Sequence, residues 1–417
     1  MSAERKRFSL RIRIQIALIT AATAATLAAT WQFSQAGGSY QGAVRQEIKR
    51  QAGVQEDVRQ VYGVDAPQAF HVAAAQAEAD ALVPLKNDGQ VAAAEYTIAS
   101  QTAFVLRNST GGLTEAYFRA GLGYDIPRRL ADVQAASPGV YALDPEEQLR
   151  SGDRWAAWAL GSVAVAGLAV LAVLITANVL RPVAWRHPPA PSAPRVLRKL
   201  ELIPQPATAP PGTRLAVQLH LLVIALLLLL PLGQAYAAGV EQRAQAEAAR
   251  RAVQVRTDIA VSGQRHAFLA LGLQASLRTH VRAISRELAA VDAADPGVAR
   301  QESQVAAVES AVANTVRDLA VYMARPPAPA DAVDPATASA LRSDPANQPK
   351  LVADQNHQVD LAQRSGNRAL LLAVATAFAV VAEVLAASAL VAERRKWVLW
   401  PAAALGVSLL VTGVAVL

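Results

Sequence analysis

The 417-residue sequence predicts an all-α integral membrane protein with five transmembrane helices and two extracytoplasmic helical domains. Three observations predict this fold class. Hydrophobic residues make up 53% of the chain but aromatic residues only 5%, so the apolar content is aliphatic and rich in Ala. That content is concentrated in five blocks, each near the roughly 20 residues that cross the hydrocarbon core of a bilayer. The long segments between the blocks are rich in Ala, Gln, Arg and Glu, which favour helices.

The five blocks define the predicted spans, and the third, which contains the unbroken run Leu226–Leu230, has the strongest signal. The first block also resembles a cleaved signal peptide, because it follows a basic segment and contains small residues near Ala28. Its length and the aromatic pair Trp31 and Phe33 favour an anchor that is not cleaved. The predicted spans are residues 14–33, 155–180, 215–238, 369–391 and 398–417.

The distribution of charge predicts the orientation of the spans. The predicted cytoplasmic segments 1–13, 181–214 and 392–397 together contain 14 Lys or Arg and 3 Asp or Glu. The long segments 34–154 and 239–368 contain 26 basic and 29 acidic residues. Because Lys and Arg near span ends stay in the cytoplasm, we expect the N-terminus inside and the C-terminus outside a bacterial cytoplasmic membrane. The basic residues behind the net charge of +7 then orient the spans and contact anionic lipid headgroups. The positive charge therefore requires no nucleic-acid partner.

All six Trp residues lie near predicted span boundaries, where an apolar ring with one polar N–H is favoured. We expect them to act as interface anchors. They are Trp31, Trp155, Trp158, Trp185, Trp397 and Trp400.

The cytoplasmic segment 181–214 is rich in Pro and is predicted to be an extended linker. Its basic residues Arg195, Arg198 and Lys199 leave two alternatives. The segment is either a solvated tether, or its middle lies on the bilayer surface or binds a partner.

The two outer segments are predicted to be helical, and the last helix of each is expected to continue into the following span. Seven of the aromatic residues in the first segment either form a helix-packing core or line a small-ligand pocket. The predicted helices are 40–60, 67–82, 88–108, 113–120, 125–136 and one from Asp144, then 239–290, 297–324 and one from about 350, after a loop over 325–349. The aromatic residues are Phe70, Tyr96, Phe104, Tyr117, Phe118, Tyr124 and Tyr141.

The two halves of the sequence show signs of an internal duplication. Each half has a span, an outer helical segment, a second span and then a basic cytoplasmic segment. The tetrapeptides Ser151–Arg154 and Ser365–Arg368 differ only by Asp against Asn, and each precedes a span. Arg181 and Arg395 follow them at the same offset. These features predict a parallel repeat, in which both halves begin inside.

A short polar segment with Asp or Asn precedes the second and the fourth predicted spans, and a helical hairpin at 369–417 is predicted around Glu393–Lys396. These features resemble uncharacterised bacterial multi-pass inner-membrane proteins. That resemblance covers about half of the chain and implies no known activity. A weaker similarity links the outer helices to the helical-bundle sensor domains of chemoreceptors and histidine kinases. The chain departs from those proteins because no signalling module follows the second or the fourth span.

Residues suited to catalysis or metal binding are sparse. The chain has no Cys, which excludes disulfides, thiolate metal sites and a cysteine nucleophile. The six His are scattered, and His266 and His280 lie about 21 Å apart along a predicted helix, too far to share a metal. We therefore expect no enzyme activity, no cofactor and no metal site.

Glu383 is the most informative polar residue, because it lies inside the fourth predicted span. A charged acid there is costly and often marks a proton or ion pathway, or a contact between helices. His220, near the inner end of the third span, is expected to reach the membrane interface. The sequence therefore offers Glu383 no basic partner within the membrane.

Three functions remain in competition. The favoured one is a non-enzymatic scaffold or accessory subunit whose outer helices bind a protein partner or a second copy. The second is a sensor that signals through segment 181–214 to a separate cytoplasmic partner. The third is a transport or channel component that uses Glu383.

Overall fold

The computed structural model describes residues 2–110, 113, 115–119, 121–179, 211–343, 348–392 and 399–416. Within them the chain is almost entirely helical, and five helices are long and apolar enough to cross a membrane. The predicted all-α class is therefore confirmed, and the number of helices that could cross a membrane agrees with the five predicted spans.

The helices follow one another along the chain with short connections. A five-residue π-helical segment, Val61–Asp65, joins α1 to α2. The helices are α1 Ser2–Gln60, α2 Ala66–Leu82, α3 Gln90–Ser109, α4 Ile126–Ala136, α5 Pro138–Tyr141, α6 Pro145–Val179, α7 Pro211–Asp292, α8 Pro296–Met323, α9 Pro335–Arg342, α10 Gln348–Ala392 and α11 Leu399–Val416.

Four predicted spans are continuous with the helices that extend beyond them. The sequence predicts the span 14–33 apart from a helix over 40–60, and the span 215–238 followed directly by a helix over 239–290. In the structure each pair is one helix, α1 or α7. Pro231 lies inside α7 without ending it. The expected continuity of α6 and α10 with the second and fourth spans is confirmed.

The buried face of α1 repeats every seven residues along the helix. Ala22, Ala29, Ala36 and Ala43 are each almost fully buried at this spacing. A second series at the same spacing contains the buried residues Phe33, Tyr40, Glu47 and Val54, and continues to Val61 at the start of the π-helical segment. Two such series, three and four residues apart, form the stripe with which a long helix packs against its neighbours.

The chain divides into two compact units, each built from both halves of the sequence. We call the first the span unit; it comprises Met1–Val44, Pro145–Ala249 and Gln355–Leu417. We call the second the loop unit; it comprises Arg45–Asp144 and Arg250–Asp354. The central parts of the two long segments therefore share one unit.

The loop unit has a hydrophobic core to which both long segments contribute. Tyr62, Phe70 and Phe268 pack edge to face, with ring centroids 6.0–6.3 Å apart. Val312 and Leu341 from the second segment belong to the same core. Of the seven aromatic residues singled out in the first segment, Phe70, Tyr117 and Tyr124 are buried in this core, as the packing alternative predicts, while Phe104 is exposed.

Two local predictions in the loop unit are wrong. The predicted helix 113–120 is instead a 3₁₀ turn at Glu115–Tyr117 and a short antiparallel hairpin that pairs Phe118 with Tyr124. Gly121 and Gly123 have positive φ, which closes the hairpin and excludes a helix.

The predicted loop 325–349 contains the helix α9. Its N-cap Asp334 accepts a hydrogen bond from the N–H of Thr337 at 3.0 Å, and Pro335 occupies the first turn. Asp followed by Pro is a helix start signal, which the Pro-rich composition of this segment obscured.

In the span unit the helices pack through small residues. Ala375, Ala379, Ala382 and Ala386 are fully buried on one face of α10. Small residues allow close approach of helix backbones, which is how helices associate in lipid. The final helix α11 is held there by Ser408, whose hydroxyl donates to the carbonyl of Ala375 at 2.8 Å.

Candidate functional site

The structure describes four of the six Trp residues expected at membrane interfaces. Trp31 of α1 and Trp155 of α6 contact each other edge to face, with ring centroids 5.3 Å apart. Trp158 and Trp400 are largely exposed. Their anchoring role stays a prediction. Trp185 and Trp397, and the basic residues Arg195, Arg198 and Lys199, lie outside the described residues.

The structure gives Glu383 a partner on another helix, which the sequence does not predict. His220 Nδ1 on α7 lies 2.8 Å from Glu383 Oε1 on α10. The distance between these two atoms is that of an ion pair, but their geometry is not that of a hydrogen bond. Glu383 Oε2 is buried and has no hydrogen-bond partner among the described residues. The expectation that Glu383 lacks a basic partner is therefore wrong.

An apolar cluster of three helices lies beside this pair. Val223 of α7, Ala382 of α10 and Leu405 of α11 are buried together. Val223 is one turn from His220, and Ala382 adjoins Glu383 in the chain. The acid and the imidazole thus lie at a junction where any net charge is costly.

The loop unit contains a four-residue ionic cluster around Arg286 of α7. Its guanidinium contacts Glu95 at 2.5 Å, Glu309 at 2.9 Å and Glu302 at 3.0 Å, and so joins α7 to α3 and α8. Glu309 is almost fully buried, and burial raises its pKa while Arg286 opposes that rise. One arginine that joins three helices is a structural bridge.

A second buried polar cluster joins α1 to α7. Glu47 and Arg250 are both 3% exposed and approach to 3.5 Å. Glu47 Oε1 also accepts hydrogen bonds from Gln51 at 2.8 Å and Gln254 at 3.0 Å. Since buried charges require such partners, the cluster fixes the register of the two helices.

The surface of the loop unit carries an unusual apolar stripe on α7. We call it the α7 seam. Its residues lie at alternating spacings of four and three, and each is at least half exposed. They are Leu277, Val281, Ile284, Leu288 and Val291. A helix face with this spacing is normally covered by another helix.

Within the described residues, no group of three His, Asp or Glu side chains is placed to hold a metal ion. The fold therefore defines a helical protein with five candidate membrane spans, an ionisable pair within them and an exposed apolar seam beyond them. No family model, curated protein or solved structure matches this chain.

Proposed function

We propose that the chain is a non-enzymatic inner-membrane scaffold or accessory subunit, with its N-terminus inside and its C-terminus outside. The loop unit faces outward and binds a helix of a partner protein. The observation that carries this proposal is the α7 seam. Its five aliphatic side chains follow the a and d positions of a heptad repeat, and together they form the kind of contiguous apolar patch that marks an interaction surface.

The charges beside the seam favour a partner over a second copy of this chain. Two copies in one membrane share the same orientation, so their α7 helices would pair in parallel. In a parallel pair, Glu287 at position g of one copy faces Asp292 at position e of the other. This like-charge contact disfavours self-pairing. The favoured occupant is an amphipathic helix with basic residues opposite Glu287 and Asp292, and an acidic residue opposite Arg278.

Photo-crosslinking in cells tests the partner. A photoreactive amino acid replaces Ser285, which is exposed beside the seam. We expect an adduct with one protein of different mass, which mass spectrometry identifies. The adduct should be lost in the double variant Ile284→Asp, Leu288→Asp, because two buried carboxylates oppose helix pairing.

Val321→Asp is the matched control, since Val321 is equally exposed on α8 and lies outside the seam. It should leave the adduct unchanged. An adduct between two copies of the chain, or no adduct at all, contradicts the proposed partner.

A sensor is the second candidate function, and the continuity of α1, α6, α7 and α10 favours it. Each of these helices runs from a predicted span into the predicted outer segments. A displacement at one end of such a helix reaches the other. Deletion of residues 190–210 should then abolish stimulus-dependent responses. If those responses persist, the linker does not carry a signal.

We also propose that the two halves arose by duplication, because their element orders agree. In each half a long helical stretch (α1 with α2, or α7) is followed by a return helix (α3 or α8), a loop, a short helix capped by Asp (α4 or α9) and a long final helix (α6 or α10), and α5 is additional in the first half. Asp125 and Asp334 are the two capping residues. The repeated tetrapeptides place Gly152 against Tyr40 of α1 and Gly366 against Glu241 of α7.

A further inference from the structure

The five apolar stretches contain one carboxylate and one imidazole, and they contain no Lys, Arg or Asp. These two groups are Glu383 and His220, which are far apart in sequence and lie on different helices. The structure places them 2.8 Å apart. An isolated ionisable group in a membrane is energetically costly, so the packing of the span unit that brings these two side chains together lowers that cost.

Both groups lie toward the same side of the membrane. With a rise of 1.5 Å per residue, His220 is about 8 Å from the start of its predicted span, and Glu383 is about 12 Å from the end of its own. Both of these span ends border the predicted cytoplasmic segments. The pair therefore lies in the cytoplasmic half of a hydrocarbon core about 30 Å thick.

We propose that His220 and Glu383 form an intramembrane proton-binding site. With His220 Nε2 carrying its ordinary N–H, one further proton on the pair, at Glu383 Oε1 or His220 Nδ1, makes the pair electrically neutral, whichever atom carries it. Uptake of a second proton, so that both the carboxyl group and Nδ1 are protonated, leaves a net charge of +1. Loss of the first proton leaves −1. The apolar surroundings disfavour both charged states, so the pair retains one proton and exchanges it on the cytoplasmic side.

Within the described parts of the predicted spans, the neighbouring helices supply no competing ionisable group near the pair. α11 has none, and the predicted spans of α1 and α6 have none. Along α7 the nearest ionisable residues are Arg214 and Tyr236, and along α10 the nearest is Arg368. Each is at least six residues from its partner in the pair, or about 9 Å along the helix.

The packing beside the pair couples its protonation to the arrangement of three helices. Val223, Ala382 and Leu405 bring α7, α10 and α11 together beside it. A change of net charge at this junction draws in water or separates the helices, because a charge in apolar packing needs polar partners. The site thus gives the span unit a means of responding to proton concentration, independently of any partner at the α7 seam.

An infrared titration of the full chain in lipid nanodiscs tests the site. We expect a carboxylic-acid band that titrates with pH and is absent from Glu383→Gln. In His220→Gln the midpoint of that titration should move by at least one pH unit. The exchanged variant His220→Glu, Glu383→His should restore a coupled titration, and it keeps the test informative if a single variant folds poorly.

Thr376→Val is the matched control, because the Thr376 hydroxyl donates to Leu372 of its own helix. It should leave the band and the midpoint unchanged. An unchanged band in Glu383→Gln, or an unchanged midpoint in folded His220→Gln, overturns the proposal. A band that responds to sodium at constant pH also overturns it, since the site would then bind a metal cation.

Discussion

At the scale of single residues, the loop unit depends on a few buried charges that have several partners. Arg286 is the clearest case, because three glutamates on two other helices surround one guanidinium. Its removal leaves those carboxylates close together without a counter-charge. The loss is therefore larger than that of any single surface ion pair.

Arg286→Gln should lower the free energy of unfolding of the loop unit by about 2–4 kcal/mol. Denaturant unfolding of the full chain in detergent measures the change. Arg317→Gln is the control, since Arg317 is exposed and contacts its exposed neighbour Asp318. The control should change stability by less than about 0.5 kcal/mol. Equal effects of the two variants would contradict the bridging role of Arg286.

Asp258 of α7 provides a test of pH dependence. Burial raises its pKa above the ordinary value, so the folded chain holds this proton more tightly than the unfolded chain. Its contribution to stability is therefore present at acid pH and is lost as pH rises through the raised pKa.

Asp258→Asn should stabilise the fold by about 0.5 kcal/mol at neutral pH, a value kept small because the side chain is only half-buried. The gain should vanish below about pH 3, where aspartate is protonated in both states. Unfolding of the wild type and the variant at both pH values measures this difference. A gain that grows on acidification would contradict the assigned cause.

At the scale of elements, two glycines in α7 have opposite surroundings. A Cβ at Gly272 would lie 2.2 Å from the Cβ of Ala320 in α8, so this glycine permits the contact between the two helices. A Cβ at Gly263 would meet nothing within 4 Å. The same substitution should therefore have opposite effects at the two positions.

Gly272→Ala should destabilise the loop unit by about 1–3 kcal/mol, because α7 and α8 must separate to admit the methyl group. Gly263→Ala should stabilise it by about 0.5–1 kcal/mol, since Ala favours a helix interior more than Gly does. Thermal unfolding of both variants checks the signs. Destabilisation by Gly263→Ala would show that this position is packed.

The sequence predicted most elements, because helix period and apolar length are local properties. It missed α9 and the 118–124 hairpin, where single Asp, Pro and Gly residues outweigh the surrounding composition. It also missed the contact between His220 and Glu383. Each residue was interpretable alone as an isolated polar group, and only the packing of α7 against α10 brings them together.

At the scale of the whole molecule, the orientation in the membrane stays a prediction that labelling can test. The chain has no native Cys, so single Cys substitutions at Ser109, Ala193, Ser343 and Val416 report their own positions. In intact cells, a membrane-impermeant maleimide should label positions 109, 343 and 416 but not 193. Labelling of 193 alone would show an inverted chain and place the loop unit in the cytoplasm.

Because each unit contains residues from both halves of the chain, the order of synthesis determines when each unit can fold. The core of the loop unit joins residues such as Val54 and Phe70 to Val312 and Leu341. The first segment of this unit ends at Asp144 and the second at Asp354. At typical rates of translation, the first segment waits on the order of 10–40 s for its partner. During that interval the apolar face of the first segment is not covered by the second segment. A nascent chain stalled after α6 would therefore be bound by chaperones or cleaved by proteases.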